Sequence, residues 1–246
     1  MNSILLAGQK ITNRFQRDGI FRSFRYLTRR LKQIAHHALY DSKLDRLERY
    51  PSGVQRWVKS DEIVGRADSS RVNYDAYPRL PLLWSLSALA IEPDDFTFVD
   101  FGSGRGRVIL AAASLPFKQC IGVEFSRTLH AEACENIQGY PRDRMACLEN
   151  VSLNLDARDF VLPAGNVVAF FFNPFLGAVL DDVAKNIEDA VHGTGRTVYV
   201  IFANTTGAAL FPGRPAFVRI RPRGFARLKL GLFGTIPVEL YRVAPH

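Results

Sequence analysis

The sequence predicts an α/β fold with a doubly wound, seven-stranded, mostly parallel sheet. From about residue 95 onward, short apolar runs alternate with polar, helix-like stretches, which is the pattern of βαβ units. A glycine-rich turn joins the first of these runs directly to a helix-forming stretch. The chain of 246 residues is long enough for one such domain with a full core. We therefore expect residues 74–246 to form one α/β domain and residues 1–73 to form a basic helical extension.

Seven apolar runs are the candidate strands. Five alternate with helix-like stretches, and they span residues 96–101, 119–124, 146–153, 166–172 and 197–203. Two more, 216–221 and 236–243, follow the last helix-like stretch and are joined by a short link around Gly231 and Gly234. This arrangement predicts a terminal hairpin, so that the parallel sheet ends in an antiparallel strand.

The composition indicates a soluble globular protein, with 47% hydrophobic and 23% charged residues. The three cysteines form no C-x-x-C pair, which is typical of a reducing, cytoplasmic compartment. No run reaches the roughly 18 apolar residues of a membrane-spanning helix, and none suits the core of a signal peptide. The five histidines occur in no metal-ligand pattern, so we predict no metal site.

The formal net charge of +8 is concentrated at the N-terminus, where residues 1–40 hold eight Lys or Arg and one acid. Apolar residues between Phe15 and Leu31 recur at helical spacing, which predicts an amphipathic basic helix. Such a helix binds an anionic membrane surface or nucleic acid, targets the chain to an organelle, or simply presents a solvated face. A second acid-free basic segment, from Arg214 to Lys229, either borders a substrate groove or protects an edge strand.

The strongest motif is FVDFGSGRGRVILAAA, residues 98–113, in which a predicted strand runs through Gly102, Gly104 and Gly106 into a helix. Glycines are needed where a strand turns tightly into a helix and a ligand approaches the backbone. A dinucleotide-binding turn has a further glycine where this chain has Arg107. Asp100 would also repel a pyrophosphate but would balance a ligand's ammonium group. The turn therefore suits S-adenosylmethionine better than a nicotinamide dinucleotide.

An acidic residue at the end of the second predicted strand is the second candidate ligand contact. Glu124 lies eighteen residues after Gly106, at the end of the apolar segment QCIGVE. A carboxylate at this position can accept hydrogen bonds from both ribose hydroxyls. The alternative is a solvated acid at a strand end, and its combination with the glycine turn favours the ribose role.

The segments VDFGSGRG, GVEFS and FFFNPF resemble the class I S-adenosylmethionine-dependent methyltransferases, a Rossmann-like superfamily, over residues 74–245. The resemblance implies that Asp100, Gly102 and Gly104 contact the methionine moiety and that Glu124 holds the ribose. In LDARDF, it implies that Asp156 and Ala157 meet the adenine, with Asp159 as a substitute and a plain turn acid as the alternative.

The longer string resembles the nucleosomal histone-lysine methyltransferases without a SET domain and their bacterial relatives. It also resembles mitochondrial lysine methyltransferases with a G-S-G-x-G-R turn. In NYDAYPRLPLLWSL, either Tyr74 or Tyr77 would then fold over the cofactor as a lid. This resemblance implies a protein lysine as the methyl acceptor.

The segment VVAFFFNPF places Asn173, Pro174 and Phe175 directly after the fourth predicted strand, at the edge where open α/β sheets bind ligands. It resembles the N-P-P-Y/F motif of amino-group methyltransferases with one proline missing. The Asn173 side chain and the Pro174 carbonyl would orient an acceptor amine, and Phe175 would pack on it. The alternative is that Asn-Pro only ends a strand and begins a turn.

The sequence thus predicts a methyltransferase that uses S-adenosylmethionine to methylate an amine, with protein lysine favoured. Methylation of RNA or of a small molecule is the alternative within the same class, since the two basic segments would suit an anionic substrate. A non-catalytic cofactor-binding scaffold with a basic membrane-binding or nucleic-acid-binding arm is the alternative of another class. Arg105 and Arg107 are candidates for steering an anionic substrate, and an internal salt bridge is the alternative for Arg107.

Overall fold

A computed structural model describes residues 77–172, 175, 177–203, 213–222, 224–234 and 236–245 of the chain. The predicted extension, residues 1–73, lies outside the described residues. So do three of the predicted site residues, Tyr74, Asn173 and Pro174. No helix in the described part combines the length and the apolar character needed to cross a membrane.

Helices and strands alternate along the described chain. The helices are α1 (Arg79–Ala88), α2 (Arg107–Ala112), α3 (Arg127–Gly139), α4 (Ala178–Val191) and α5 (Gly224–Phe233). The strands are β1 (Phe96–Phe101), β2 (Gln119–Glu124), β3 (Asn150–Asn154), β4 (Asn166–Phe172), β5 (Val198–Ala203), β6 (Phe217–Ile220) and β7 (Val238–Val243).

The seven strands form one sheet in the order β3-β2-β1-β4-β5-β7-β6. Strands β1 to β5 are parallel, and β7 runs antiparallel to both of its neighbours, β5 and β6. The predicted doubly wound, seven-stranded, mostly parallel sheet is therefore confirmed. The crossover from the β3-β2-β1 half to the β4-β5 half lies at β1, so the carboxyl end of β1 is the switch point where such sheets bind ligands.

The largest differences from the prediction lie at the third strand and in the link between β6 and β7, whereas β5, β6 and β7 differ from their predicted runs by one or two residues at one or both ends. The third strand begins at Asn150 rather than at residue 146, because the amides of Ala146 and Cys147 both donate to the carbonyl of Ala113 and hold this stretch against the end of α2. The link between β6 and β7 is the helix α5 rather than a short turn. Its segment FARLKL consists mostly of helix-favouring residues, and α5 is further stabilised by packing against α1.

The core lies on both faces of the sheet. On one face, Val99, Phe101 and Phe171 pack with the apolar stripe of α4, whose buried residues recur at helical spacing. On the other face, Phe98 and Phe170 pack with residues of α1 and α2. All six residues of β1 are buried. The central strand is thus held from both sides, and its carboxyl end has a rigid support.

Candidate functional site

The glycine-rich turn lies at the carboxyl end of β1 and is fastened to the neighbouring strand. The amides of Gly102 and Ser103 both donate to the carbonyl of Val123, at 2.9 and 3.2 Å. Gly102 and Gly104 have φ angles of 79° and 53°, in the left-handed region that favours glycine. The turn therefore has the strand-turn-helix setting that the sequence predicts, and its backbone lies next to the end of β2.

Gly122, in the middle of β2, has no side chain, and the glycine turn therefore packs closely against its backbone. A Cβ atom on Gly122 would lie 2.3 Å from Cδ1 of Ile109 and 2.6 Å from Oγ of Ser103. Sequence reasoning missed this residue. The available signal was a glycine inside an apolar strand, which often marks a close approach of another part of the backbone.

The Glu124 side chain is hydrogen-bonded to the backbone of the glycine turn. Its Oε2 accepts a hydrogen bond from the Gly104 amide at 2.8 Å, and its Oε1 accepts one from the Ser126 amide at 2.8 Å. The side chain is buried, and burial raises the pKa of Glu124 to about 7 although both hydrogen bonds act to lower it. An ionised carboxyl group has about four acceptor sites, so Glu124 could also accept from ribose hydroxyls, and this role stays a prediction.

Asp100 lies on the same face of the sheet as Glu124, in register with Gly122. It is only 2% exposed, and its Oδ2 atom makes no hydrogen bond within the described residues. Burial, with the nearby charge of Glu124 as a second cause, holds the pKa of Asp100 well above its usual range. The structure therefore brings two buried carboxyl groups together beneath the glycine turn.

The two arginines of the turn point away from the solvent. Arg105 is buried and forms an ion pair with Glu132 of α3 at 2.9 Å, so the steering role considered for Arg105 is wrong. The Asn136 side chain donates to the Arg105 carbonyl at 3.0 Å. Arg107 is also buried, and its Nε donates to the carbonyl of Tyr77 at 3.1 Å. Both arginines thus connect the turn to neighbouring segments.

Tyr77 lies two residues before α1 and is almost completely buried. Its ring centroid is 5.0 Å from that of Phe170 and 4.8 Å from that of Phe172, the last residue of β4. Burial raises the pKa of its hydroxyl. The ring is therefore on the same face of the sheet as Asp100, because Phe170 is the register partner of Asp100. A lid role for Tyr77 stays a prediction.

The predicted adenine contacts follow β3, the strand next to β2. The Asp156 carboxylate accepts hydrogen bonds from the backbone amide and the guanidinium of Arg158 and begins a single helical turn. Ala157 is buried in the core of the α4 face. Asn154, which sequence reasoning missed, donates to the Glu124 and Phe125 carbonyls at 2.9 and 3.0 Å and joins the two strand ends. Contact of Asp156 and Ala157 with adenine stays a prediction.

Phe175 is the one described member of the predicted catalytic segment. Its side chain is 8% exposed, and its ring packs edge-on against Phe171 at 6.2 Å, in the core of the α4 face. The segment follows β4 directly, and β4 is hydrogen-bonded to β1 as far as the pair Phe101 and Phe171. Its catalytic role stays a prediction. Among the described residues, no cluster of His, Cys, Asp or Glu could hold a metal ion.

No family model matches the chain, and no curated protein matches it. Solved structures with similarity include an RNA methyltransferase from Salinibacter ruber in complex with S-adenosyl-L-homocysteine, with 18% identity and a TM-score of 0.44 over 69% of this chain and 94% of that one. A ribosomal protein L11 methylase from Lactobacillus delbrueckii subsp. bulgaricus has 17% identity and a TM-score of 0.43, over 67% and 77%. The glycopeptide N-methyltransferase MtfA, complexed with S-adenosyl-L-homocysteine, has 13% identity and a TM-score of 0.47, over 67% and 90%.

Proposed function

We propose that the chain is an S-adenosylmethionine-dependent methyltransferase that methylates an amine, with protein lysine as the favoured acceptor. The observation that carries the proposal is the pair of buried carboxyl groups, Asp100 and Glu124, beneath a glycine turn at the carboxyl end of β1. Desolvation makes two such groups costly to ionise side by side. A cationic ligand that donates hydrogen bonds to them would relieve that cost.

S-adenosylmethionine has the positive charge and the hydrogen-bond donors that would complement the two buried carboxyl groups. Its ammonium and sulfonium provide positive charge, and its ribose hydroxyls provide hydrogen-bond donors. In the proposed complex, Asp100 and the Gly102 and Gly104 backbone hold the methionine end, and Glu124 accepts from the ribose. A nicotinamide dinucleotide fits less well, because its pyrophosphate would face two buried acids.

When bound, S-adenosylmethionine supplies a methyl group on a sulfonium, whose departure needs no proton donor. The chain's own residues therefore have to align and desolvate the acceptor. Asn173 and Pro174 are proposed to accept hydrogen bonds from the amine, since their segment begins where β4 ends, beside β1. A lysine must also be uncharged to react, and aromatic surroundings such as Tyr77 and Phe172 would lower its pKa.

Isothermal titration with S-adenosylmethionine and with S-adenosylhomocysteine tests the cofactor. We expect Asp100→Asn and Glu124→Gln to weaken binding of S-adenosylmethionine by roughly tenfold or more, because each variant removes a charge-assisted contact. The matched control is Asp143→Asn, an acid whose side chain is 76% exposed. Absence of binding by the unaltered protein, or equal affinity in all variants, would contradict the proposal. Strong binding of NADH instead would favour an oxidoreductase.

The acceptor is tested with S-adenosylmethionine carrying a tritiated methyl group. Cell lysate is separated after the reaction into protein, RNA and small molecules, and labelled protein is hydrolysed to amino acids. We expect label in methylated lysine, and a roughly hundredfold fall in kcat for Asn173→Ala with unchanged cofactor affinity. Label found only in RNA or in small molecules would overturn the lysine acceptor. Cofactor binding without any transfer would favour the scaffold alternative.

A further inference from the structure

The helix α5 presents two large apolar side chains to solvent. Phe225 is 69% exposed and Leu228 is 49% exposed. They are three residues apart, so they lie side by side on one face of the helix. The helix also packs against α1, so this exposed face is the one turned away from the domain.

The segment of the chain that contains α5 is basic and contains no acidic residue. No Asp or Glu occurs between residues 190 and 238. Arg214 is paired with Asp181 and Glu188. Arg219 is paired with Glu239.

Three further cations lie on α5 or in the segment just before it. Arg221 and Arg227 are exposed, and neither has an ion-pair partner among the described residues. The Lys229 Nζ lies 4.7 Å from the centre of the Phe225 ring. The α5 segment therefore combines an exposed apolar pair with exposed or partly exposed cations, one of which lies over the Phe225 ring.

The chemistry of this surface narrows its partner to an anionic one that also takes up apolar side chains. The sequence of residues 1–40 is also basic, so it offers this surface no complementary charge. Phe225 and Leu228 expose roughly 200 Å² of apolar area, far below the ~800 Å² per partner of a specific protein interface. A nucleic acid would bind the cations but would leave the aliphatic Leu228 without a stacking partner. An anionic bilayer satisfies both the cations and the apolar pair.

The position of α5 in the fold is set by the two strands that it joins. Strand β6 is parallel to β1 to β5 and ends at Ile220, so its carboxyl end lies at the same edge of the sheet as the glycine turn. The antiparallel β7 begins at that edge as well, and α5 joins the two. Both ends of the helix are therefore at the edge that carries the candidate site.

We propose that α5 is an interfacial helix that docks the protein on anionic phospholipid membranes. Phe225 and Leu228 enter the boundary between headgroups and acyl chains, and Arg221, Arg227 and Lys229 contact the headgroup phosphates. The proposal does not depend on the methyltransferase assignment.

Co-sedimentation of the full chain with vesicles tests the proposal. We compare vesicles of phosphatidylcholine alone with vesicles that also contain phosphatidylglycerol. We expect partition only into the second kind, and a loss on the order of tenfold when Phe225→Ser and Leu228→Ser are combined. The matched control is Val161→Ser, which removes an exposed apolar side chain that is distant from α5 in the sequence. Thermal unfolding checks that all variants are folded.

A fluorescent label on α5 separates this helix from the basic arm. Leu228→Cys is labelled with an environment-sensitive dye in a Cys134→Ser background, because Cys120 and Cys147 are buried. Anionic vesicles should shift the emission of this dye to the blue but leave a dye at Val161→Cys unchanged. Sedimentation without a shift at position 228, or sedimentation that the double variant retains, would overturn the proposal. So would salt-sensitive RNA binding that Arg227→Glu abolishes, in a protein that does not partition into vesicles.

Discussion

The Oε2 atom of Glu124 accepts a hydrogen bond from the Gly104 amide at 2.8 Å, across twenty residues of sequence. This contact joins the end of β2 to the glycine turn at the end of β1. It means that the carboxylate expected to bind the ribose also supports the backbone expected to bind the methionine moiety. Changes at Glu124 should therefore affect the turn and the ligand together.

The stability of the ligand-free protein should depend on the protonation of Glu124. Its pKa is raised from 4.5 to about 7 by burial, so the native protein holds this proton more tightly than the unfolded chain does. The contribution of this group to the free energy of unfolding should therefore be largest below pH ~4.5. It should fall by roughly 3 kcal/mol between pH ~4.5 and ~7 and be lost above that range. Asp100 acts in the same direction. Urea unfolding at a series of pH values measures the effect.

Glu124→Gln provides the comparison for that series. Gln cannot ionise, so the slope between pH 4.5 and 7 should become shallower, even though the variant loses one of the two backbone hydrogen bonds. An identical slope in the two proteins would show that Glu124 does not titrate in this range.

Gly122→Ala should displace the glycine turn. Its new Cβ would meet Ile109 and Ser103 at 2.3 and 2.6 Å, so we expect a loss of about 1–3 kcal/mol in unfolding free energy and weaker S-adenosylmethionine binding. Gly139→Ala, in α3, is the control, because a Cβ added there would meet no atom within 4 Å and the φ of Gly139 is not positive. Gly139→Ala should leave stability unchanged or raise it. Equal effects of the two substitutions would contradict the close approach at Gly122.

The ion pair between Arg105 and Glu132 should contribute more than a surface pair. Arg105 is buried, so Glu132→Ala leaves a guanidinium without its carboxylate and should cost about 2–3 kcal/mol, less than a fully buried pair because Glu132 is one-third exposed. Lys185→Ala removes one partner of an exposed pair with Asp189 and should cost less than ~1 kcal/mol. Chemical denaturation of the two variants measures the difference, and similar losses would contradict the importance assigned to burial.

Cysteine labelling should report the folded state. Cys134 is exposed, whereas Cys120 and Cys147 are buried, so one thiol per chain should react rapidly with Ellman's reagent and two should react only on unfolding. Although hydrogen bonding with Cys120 lowers the pKa of Cys147 to about 7, burial denies the reagent access. Cys134→Ser should abolish the fast phase. A fast phase that persists in this variant would show that the Cys147 thiol is accessible.

Local pattern was sufficient for most of the sheet. The bounds of β1, β2 and β4 agree with the predicted runs 96–101, 119–124 and 166–172, because buried parallel strands are continuous apolar segments between turns. The errors at β3 and α5 occurred where contacts distant in sequence decide the outcome: Ala113 holds residues 146 and 147, and α1 covers α5.

The doubly wound sheet, the glycine turn and the acid at the end of β2 could all be predicted from the sequence, since each is a signal carried by neighbouring residues. Three features became apparent only in the folded chain: Asp100 is buried with no hydrogen bond on Oδ2 from any residue that the structure describes, Gly122 makes room for Ser103, and Arg105 faces inward. These features depend on desolvation and on distances between strands and helices, which arise only when the chain packs.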